Sequence, residues 1–300
     1  MNQRVGYVGL GAMGAPMLAR LARHAGQDAV FGFDIDPAVR DRVCGDAGAT
    51  PCASLTEIAE AVDVLFSCVP NDEVLRAVYL GEGGVAANTR RGGVTVDCST
   101  VSPKTTRDVH KRLTELGVQH LDASMLGSVR QANEGTISFV VGGDAGALNR
   151  VRPLLEILGG MTVHCGGSGA GNTMKLLHQT LVASHAVAVG EAIALCEQVG
   201  ADADIFYDIV TKGTGLATSR YFEQRVPRIR SGEFSPLFML KLMAKDARLA
   251  RAMVESDTDT GAVLPSLDAV IAALTEAEAL GWGDEDFSAA YKVAEKRLRS

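Results

Sequence analysis

The 300-residue sequence predicts an α/β fold with a mostly parallel, doubly wound sheet, followed by an all-helical domain. Apolar runs of strand length alternate with helical periodicity as far as Cys165, which is typical of β-α-β units. A glycine-rich segment follows the first apolar run. Beyond Gly171 the strand pattern ends, and glycine and proline separate helical segments. We therefore predict a boundary near Cys165–Gly171, with domains at residues 1–166 and 167–300.

The alternation of strand and helix signals is regular through the first domain. Short apolar runs predict strands, and apolar residues at helical spacing predict helices. The predicted strands are Val5–Val8, Ala29–Phe33, Val62–Cys68, Gly93–Cys98, Val118–Leu121, Ile137–Val141 and Met161–Cys165. The predicted helices are Ala12–Arg23, Pro37–Asp46, Asp72–Leu80, Pro103–Leu116 and Asp144–Leu158. Strands separated by single helices favour parallel pairing.

The second domain is predicted to begin with one long helix. Residues 171–199 contain good helix formers and no proline. The most apolar part, Leu181–Leu195, is interrupted by Ser184, His185 and Glu191, so we interpret it as a core helix rather than a membrane span. An all-helical domain of this composition is expected to expose apolar faces, and we expect a homodimer or homotetramer.

The composition limits which cellular compartment and which classes of partner we expect. The net charge is −7 without a clustered basic patch, so we expect no nucleic-acid partner. The six cysteines are scattered without a CxxC pair, which favours reduced thiols and no metal site. The residues before the first strand lack the regions of a signal peptide. We expect a cytoplasmic protein without membrane contact.

The turn between the first strand and the first helix has the spacing GxGxxG, at Gly9, Gly11 and Gly14. In this context the first glycine allows a tight turn, the second admits a pyrophosphate, and the third lets helix and strand pack closely. The helix start then offers free N–H groups to the phosphates. The pattern indicates a Rossmann-type dinucleotide-binding domain whose cofactor loop comprises Gly9, Leu10, Gly11, Ala12, Met13 and Gly14.

An acidic residue ends the second predicted strand. Asp34 lies roughly 20 residues beyond the glycine-rich turn, where the acid that binds the adenosine ribose is found. Its carboxylate would accept hydrogen bonds from the ribose hydroxyls and repel a 2′-phosphate. NAD(H) is therefore favoured over NADP(H), although the nearby Arg40 could weaken that preference.

With these features the sequence resembles the β-hydroxyacid dehydrogenase family, which includes 3-hydroxyisobutyrate dehydrogenase, along nearly its whole length. The resemblance begins with Gly9-Leu10-Gly11-Ala12-Met13-Gly14-Ala15-Pro16-Met17 and continues with Cys68-Val69-Pro70-Asn71-Asp72 and Val96-Asp97-Cys98-Ser99-Thr100-Val101-Ser102-Pro103. It implies that Val69, Pro70, Asn71, Ser99 and Thr100 contact the cofactor, with the two hydroxyls near the nicotinamide ribose.

The substrate segment departs from the family pattern. Relatives commonly have DAPVSGG where this chain has Asp122-Ala123-Ser124-Met125-Leu126-Gly127-Ser128. Leu126 stands in place of the serine that usually holds the substrate, and Ser128 replaces the second glycine. The resemblance implies a substrate site at Ser124, Leu126, Gly127 and Ser128. Leu126 predicts a substrate that is less polar there, or one whose anionic end binds elsewhere, with Arg130 as a candidate clamp or else a solvated loop residue.

The long helix begins with Gly169-Ala170-Gly171-Asn172-Thr173-Met174-Lys175-Leu176-Leu177-His178-Gln179, which resembles the catalytic GxGxxxKxxN motif of the family. Lys175 matches the catalytic lysine, and Asn172 is expected to line the cleft. Gln179 replaces the family's asparagine one turn later, on the same helix face as the lysine, and is expected to bind substrate in the same cleft. We interpret His178 as a hydrogen-bonded bystander. Lys245 matches a lysine that approaches the cofactor, with Asp246 structural.

The resemblance implies NAD-dependent hydride transfer between nicotinamide and the hydroxyl or carbonyl of a small 3-hydroxy acid or related aldehyde. A lysine in a partly dry cleft can exchange a proton near neutral pH, so Lys175 is assigned as general acid and base. Two alternatives stay open: an imine reductase-like enzyme and a non-catalytic dinucleotide-binding protein. Retention of Lys175 argues against both.

Overall fold

The computed structural model of the chain describes residues 3–25, 29–257 and 263–299. It confirms a Rossmann-type α/β domain followed by a helical one. The domain limits predicted at residues 1 and 300 lie outside the described residues. The chain divides into two compact units, Met1–Lys175 and Leu176–Ser300, while the boundary drawn from sequence between residues 166 and 167 stays a prediction.

An eight-stranded sheet organises the first unit, in the order β3-β2-β1-β4-β5-β6-β7-β8. All neighbouring strands pair parallel except β6 and β7, which are antiparallel. The strands are β1 Val5–Val8, β2 Val30–Phe33, β3 Thr50–Pro51, β4 Val64–Ser67, β5 Val94–Asp97, β6 Gln119–Leu126, β7 Ile137–Gly142 and β8 Gly159–Gly166. The strand order reverses between β1 and β4, which is where dinucleotides bind in this topology.

The helices of the first unit connect these strands. They are α1 Gly14–Ala25, α2 Pro37–Ala47, α3 Leu55–Ala61, α4 Asp72–Leu80, α5 Val85–Asn88, α6 Pro103–Glu115, α7 Val129–Glu134 and α8 Ala145–Leu158. Successive β4 residues enter different cores: Val64 and Phe66 pack in the core that includes α1 and α8, and Leu65 packs with α3, α4 and α6. Since side chains alternate across a strand, apolar clusters cover both faces of the sheet.

The second unit is helical. It contains most of α9 Ala170–Gln198, then α10 Ala203–Lys212, α11 Arg220–Arg230, α12 Leu240–Asp257, α13 Pro265–Ala279, a 3₁₀ turn Phe287–Ala290 and α14 Tyr291–Arg299. Its main core packs small residues of α9, such as Ala183 and Ala186, with Leu240, Met243 and Leu274. By length and mean hydropathy α9 could cross a membrane, a test that core helices of soluble proteins also pass.

Sequence periodicity missed four short elements, β3, α3, α5 and α7. Each has two to seven residues, too few to show a repeating apolar pattern. The fifth predicted strand, Val118–Leu121, is also longer than expected, because β6 extends to Leu126 by pairing with β7. The segment assigned to substrate binding is therefore largely a buried strand.

A buried carboxylate holds the start of α9 against the sheet. Asp122 accepts a hydrogen bond from the Gly169 N–H on one oxygen and from the Asn172 N–H on the other, both at 2.8 Å. Close approach is possible because Gly142 and Gly171 lack side chains. A Cβ at Gly142 would lie 2.5 Å from Asp122 Oδ1, and one at Gly171 would lie 2.5 Å from the Asp122 carbonyl oxygen.

A second buried carboxylate is the neighbour of Asp122 in the sheet. Asp97 on β5 and Asp122 on β6 are register partners, and neither is exposed. Burial raises the pKa of each from the ordinary 3.8 to about 6, and hydrogen bonds to the carboxylates oppose the rise. Because the folded-state pKa lies above the unfolded value, each group favours folding most below pH 4, and this contribution is lost as the pH rises through 6.

The variant Asp97→Asn removes one of these titrations and keeps the other. Between pH 5 and pH 7.5 the wild type should lose roughly 1 kcal/mol of stability relative to the variant, since the raised pKa penalises the ionised form. Thermal unfolding of both proteins by scanning calorimetry at the two pH values measures the change. A difference in midpoint that is the same at both pH values would contradict the assignment.

Candidate active site

The glycine-rich turn after β1 has the geometry that its spacing predicted. Gly9 adopts φ +86°, and a Cβ there would lie 2.2 Å from the Cys68 carbonyl oxygen. A Cβ at Gly14 would lie 1.9 Å from the Gly9 carbonyl oxygen, whereas one at Gly11 meets no atom within 4 Å. Leu10 is buried in the core, Met13 is half-buried and Ala12 is exposed. The turn thus leaves open space at Gly11, before the N-terminus of α1, which fits a pyrophosphate.

Asp34 lies beside this turn at the end of β2. Its carboxylate accepts hydrogen bonds from the Leu10 N–H at 2.7 Å and from the Asp36 N–H at 3.0 Å. The acid is therefore fixed relative to the phosphate-binding turn, as ribose recognition requires. Arg40, the candidate 2′-phosphate ligand, pairs instead with Asp41, with 2.7 Å between Nε and Oδ1. These contacts fit NAD(H) better than NADP(H).

The loops after β4 and β5 are joined by a direct hydrogen bond between two predicted cofactor residues. The Val69 N–H donates to Ser99 Oγ at 2.8 Å, and both residues are buried. Pro70 is exposed, and Asn71 caps α4 by accepting from the Val74 N–H at 2.9 Å. Thr100 is half-buried. The structure thus brings Val69 and Ser99 together, and it gives Asn71 a local role in starting the helix.

The predicted substrate segment ends at the turn into α7. Leu126 is half-buried, Gly127 is exposed, and Ser128 precedes the helix. The Gln131 side-chain oxygen accepts from both the N–H, at 3.0 Å, and the hydroxyl of Ser128. Arg130 is largely exposed, and its Nε lies 3.3 Å from Glu134 Oε1. In this arrangement Arg130 contacts an acid of its own helix.

Ser124 and Asn172 are both fully buried and are joined by a hydrogen bond. The Ser124 hydroxyl donates to Asn172 Oδ1 at 3.0 Å, and the same oxygen accepts from the Val101 N–H at 3.1 Å. The Asn172 amide donates to Thr106 Oγ1 at 3.1 Å. The structure gives each of these residues a defined positioning contact inside the first unit, and direct contact with substrate stays a prediction for both.

Lys175 lies one helical turn beyond Asn172 and is only 8% exposed. Lysine side chains are rarely buried to this extent without a specific reason. Because the N–H groups of Gly169 and Asn172 are held by Asp122, the first turn of α9 is fixed and the position of the lysine with it. A shielded lysine on a fixed helix is well suited to proton transfer.

In the second unit the predicted residues Gln179 and Lys245 meet at Asp246. The Gln179 amide donates to Asp246 Oδ2 at 2.7 Å, and the Lys245 ammonium lies 3.1 Å from Oδ1. His178 Nδ1 lies 3.2 Å from the Gln179 side-chain oxygen. The glutamine amide therefore donates to a buried carboxylate. The asparagine of the family is one methylene shorter, so its amide would end further from this carboxylate.

Sequence reasoning assigned no role to the carboxylates of Asp97 and Asp122. Both lie within apolar strand runs, and an acidic residue in such a run is itself a signal, because buried charges need hydrogen-bond partners. That signal identifies a candidate and leaves its partners undetermined. In the part of the chain that the structure describes, no cluster of histidine, cysteine and acidic residues could hold a metal ion.

Comparison with known proteins agrees with this geometry. Residues 4–167 match the family described as the NAD binding domain of 6-phosphogluconate dehydrogenase. Residues 169–294 match the family described as NAD-binding of NADP-dependent 3-hydroxyisobutyrate dehydrogenase.

Individual proteins match over nearly the whole chain. A probable 3-hydroxyisobutyrate dehydrogenase of Mycobacterium tuberculosis is 35% identical over 95% of each chain. An NAD-dependent L-serine dehydrogenase of Pseudomonas aeruginosa is 31% identical over 97% of each. The structure of the Mycobacterium tuberculosis 3-hydroxyisobutyrate dehydrogenase with L-serine matches with a TM-score of 0.88 at 32% identity, covering 100% of both chains.

An imine reductase from Pseudomonas sp. has a TM-score of 0.60 at 17% identity, covering 98% of this chain and 99% of that one, which shows a shared fold alone. The two family matches and the full-length relatives carry the assignment, and the glycine-rich turn and Asp34 lie in the region that matches the NAD binding domain. The chain belongs to the β-hydroxyacid dehydrogenase family and is an NAD-dependent oxidoreductase.

Proposed function

We propose that this enzyme interconverts a small 3-hydroxy acid and its carbonyl product, with Lys175 as the general acid and base. The observation that carries the proposal is the 8% exposure of Lys175 on a helix start that a buried carboxylate holds in place. The names of the full-length relatives, which are dehydrogenases of 3-hydroxyisobutyrate and L-serine, support the substrate class.

Oxidation of the alcohol removes a hydride from carbon and a proton from oxygen. NAD⁺, when bound, supplies the hydride acceptor. The Lys175 amine takes the hydroxyl proton as the carbonyl forms, and in the reverse direction its ammonium returns a proton to the alkoxide oxygen. The glycine-rich turn and Asp34 would orient the dinucleotide, and the loops that contain Val69 and Ser99 would complete its binding surface.

The two alternatives are less well supported. An imine reductase is related to this chain at the level of fold alone. A non-catalytic binding protein has no need of a shielded lysine, and Lys175 is nearly buried. An imine reductase predicts activity that does not depend on this side chain, and a non-catalytic protein predicts no turnover with or without it, so removal of the lysine separates the three hypotheses.

Within the substrate segment, Leu126 is the departure from the family pattern with the clearest consequence for the substrate. Leu126 is a half-buried isobutyl group where the family has a hydroxyl, which favours a substrate with an apolar or bulkier group there. The carboxylate of the substrate would be bound by backbone N–H groups of the Gly127–Ser128 turn after the Ser128 N–H is released from Gln131, or by Arg130 after its release from Glu134. Serine and 3-hydroxyisobutyrate should therefore be slower substrates than longer or more apolar 3-hydroxy acids.

The test is reduction of NAD⁺ and NADP⁺ by the purified enzyme with a panel of 3-hydroxy acids and neutral alcohols, with Lys175→Ala beside the wild type. Turnover with NAD⁺ should exceed turnover with NADP⁺, and Lys175→Ala should lower kcat by roughly 100- to 10,000-fold, as expected for loss of a general base. NADH binding by the variant should be unchanged. Absorbance at the nicotinamide band and fluorescence titration provide the two measurements.

Lys241→Ala is the matched control, because Lys241 is half-exposed and pairs with Asp284 on the surface. Its kcat should stay within about twofold of the wild type, since exposed ion pairs contribute little. Turnover by Lys175→Ala within tenfold of the wild type would reject the assigned role. Fastest turnover on serine or 3-hydroxyisobutyrate would reject the interpretation of Leu126 alone.

We further propose that the enzyme assembles as a homodimer or homotetramer through the exposed face of α9 and α10. Leu177, Leu181 and Leu195 of α9 are each more than half exposed, as are Ile205 and Ile209 of α10. Each of the pairs 177/181 and 205/209 spans one helical turn, so its members share a face. Exposed apolar patches of this kind mark interaction surfaces, and a second copy of the chain would cover them without requiring a lipid surface.

Leu181→Glu should shift the assembly towards monomer, because it places a charge within the apolar interface. The control is Leu80→Glu, an exposed leucine at the end of α4. Light scattering coupled to size exclusion gives the mass of each protein. A monomeric wild type, or equal effects of the two substitutions, would refute this interface.

We place the assembly in the cytoplasm, where its six free cysteines would stay reduced, and cell fractionation against a cytoplasmic marker tests this placement.

A further inference from the structure

Asp97 is buried at the end of β5 and uses one of its two oxygens for all its hydrogen bonds. Oδ1 accepts from the hydroxyls of Ser67 and Ser99, both at 2.7 Å, and from the Ser99 N–H at 3.3 Å. Among the described residues, Oδ2 has no hydrogen-bond partner. The carboxylate thus ties the end of β4, through Ser67, to the loop after β5, through Ser99.

The Ser99 hydroxyl carries this connection to the loop after β4. It donates to Asp97, so its oxygen is oriented to accept from the Val69 N–H at 2.8 Å. On the other side, the Tyr79 hydroxyl lies 3.0 Å from Ser67 Oγ and orients that serine. Ser67, Tyr79, Asp97 and Ser99 are all buried, so solvent does not compete for these bonds.

The sheet topology relates this network to one half of the dinucleotide. Asp34, the residue expected to bind the adenosine ribose, follows β2. The strand order reverses between β1 and β4. Since the cofactor crosses the sheet at the reversal, the ends of β4 and β5 receive the nicotinamide half. The loops that Asp97 joins therefore lie away from the adenosine site.

We infer that Asp97 is a positioning residue for the nicotinamide half of the cofactor, acting through Ser99 and Val69 without touching the ligand. The inference rests on the binding of NAD(H) and not on the identity of the substrate. It differs from a general structural role in one respect: loss of the carboxylate should weaken binding of the whole dinucleotide and leave binding of its adenosine half unchanged.

The experiment titrates NADH and AMP by calorimetry into the wild type, Asp97→Ala and Asp97→Asn. Alanine removes the acceptor of three hydrogen bonds, so the Kd for NADH should rise at least about 10-fold. Asparagine can keep its oxygen at the Oδ1 position and place its NH₂ at the Oδ2 position, where no described hydrogen bond is lost. The Kd for NADH of this variant should stay within about threefold of the wild type. The Kd for AMP should be the same in all three proteins.

Val109→Ala controls for lost stability, because Val109 is a buried residue of α6 outside the hydrogen-bond network. It should lower the thermal midpoint and leave both Kd values unchanged. Equal weakening of NADH and AMP binding by Asp97→Ala would overturn the inference in favour of a structural role. Unchanged NADH binding would also overturn it, and so would failure of asparagine to restore binding. These titrations need no substrate, so their result is separate from the outcome of the turnover panel.

Discussion

The two hydrogen bonds from the start of α9 to the Asp122 carboxylate are the contact on which the proposed chemistry depends. A helix start has N–H groups without partners inside the helix. A carboxylate that accepts hydrogen bonds from two of them satisfies both donors, and its negative charge interacts favourably with the positive end of the helix dipole. Because Gly142 and Gly171 have no side chains, the helix approaches the strand closely enough for both bonds to form. Lys175 lies within one turn of Asn172, so the same contact determines where its side chain begins.

Asp97 and Asp122 are neighbours in the sheet, and their buried carboxylates accept different patterns of hydrogen bonds. Asp122 uses one oxygen for each of two backbone N–H groups, whereas Asp97 uses a single oxygen for two hydroxyls and one N–H. In both cases burial raises the pKa to about 6, which means that ionisation at neutral pH opposes folding. This loss of stability arises at the end of β5 and within β6, where the two carboxylates hold the loop after β5 and the start of the helix that carries Lys175.

Much of this arrangement could be predicted from local pattern. The GxGxxG spacing and Asp34 predicted a cofactor-binding turn because each glycine and the acid have separate geometric reasons for their positions, and the turn has the geometry that the spacing requires. The contacts of Gln179 could not be predicted, since its amide pairs with Asp246, a residue remote in sequence. The same holds for Ser124, whose burial depends on the extension of β6 along β7 and on Asn172 from another element. Periodicity gives the faces of single elements, and it does not give the partner of a buried polar group.

The contrast between the two carboxylates allows one direct measurement of the central claim that Asp122 positions the catalytic helix. In Asp122→Asn an NH₂ group must face one of the N–H donors of Gly169 and Asn172, so one anchoring bond is replaced by repulsion. We expect kcat to fall by about 100-fold, as for a small displacement of a catalytic group, with the Kd for NADH unchanged. In Asp97→Asn, where one oxygen suffices, kcat should stay near that of the wild type. Wild-type kcat in Asp122→Asn would contradict the account, because the helix start would then not need the carboxylate to place Lys175.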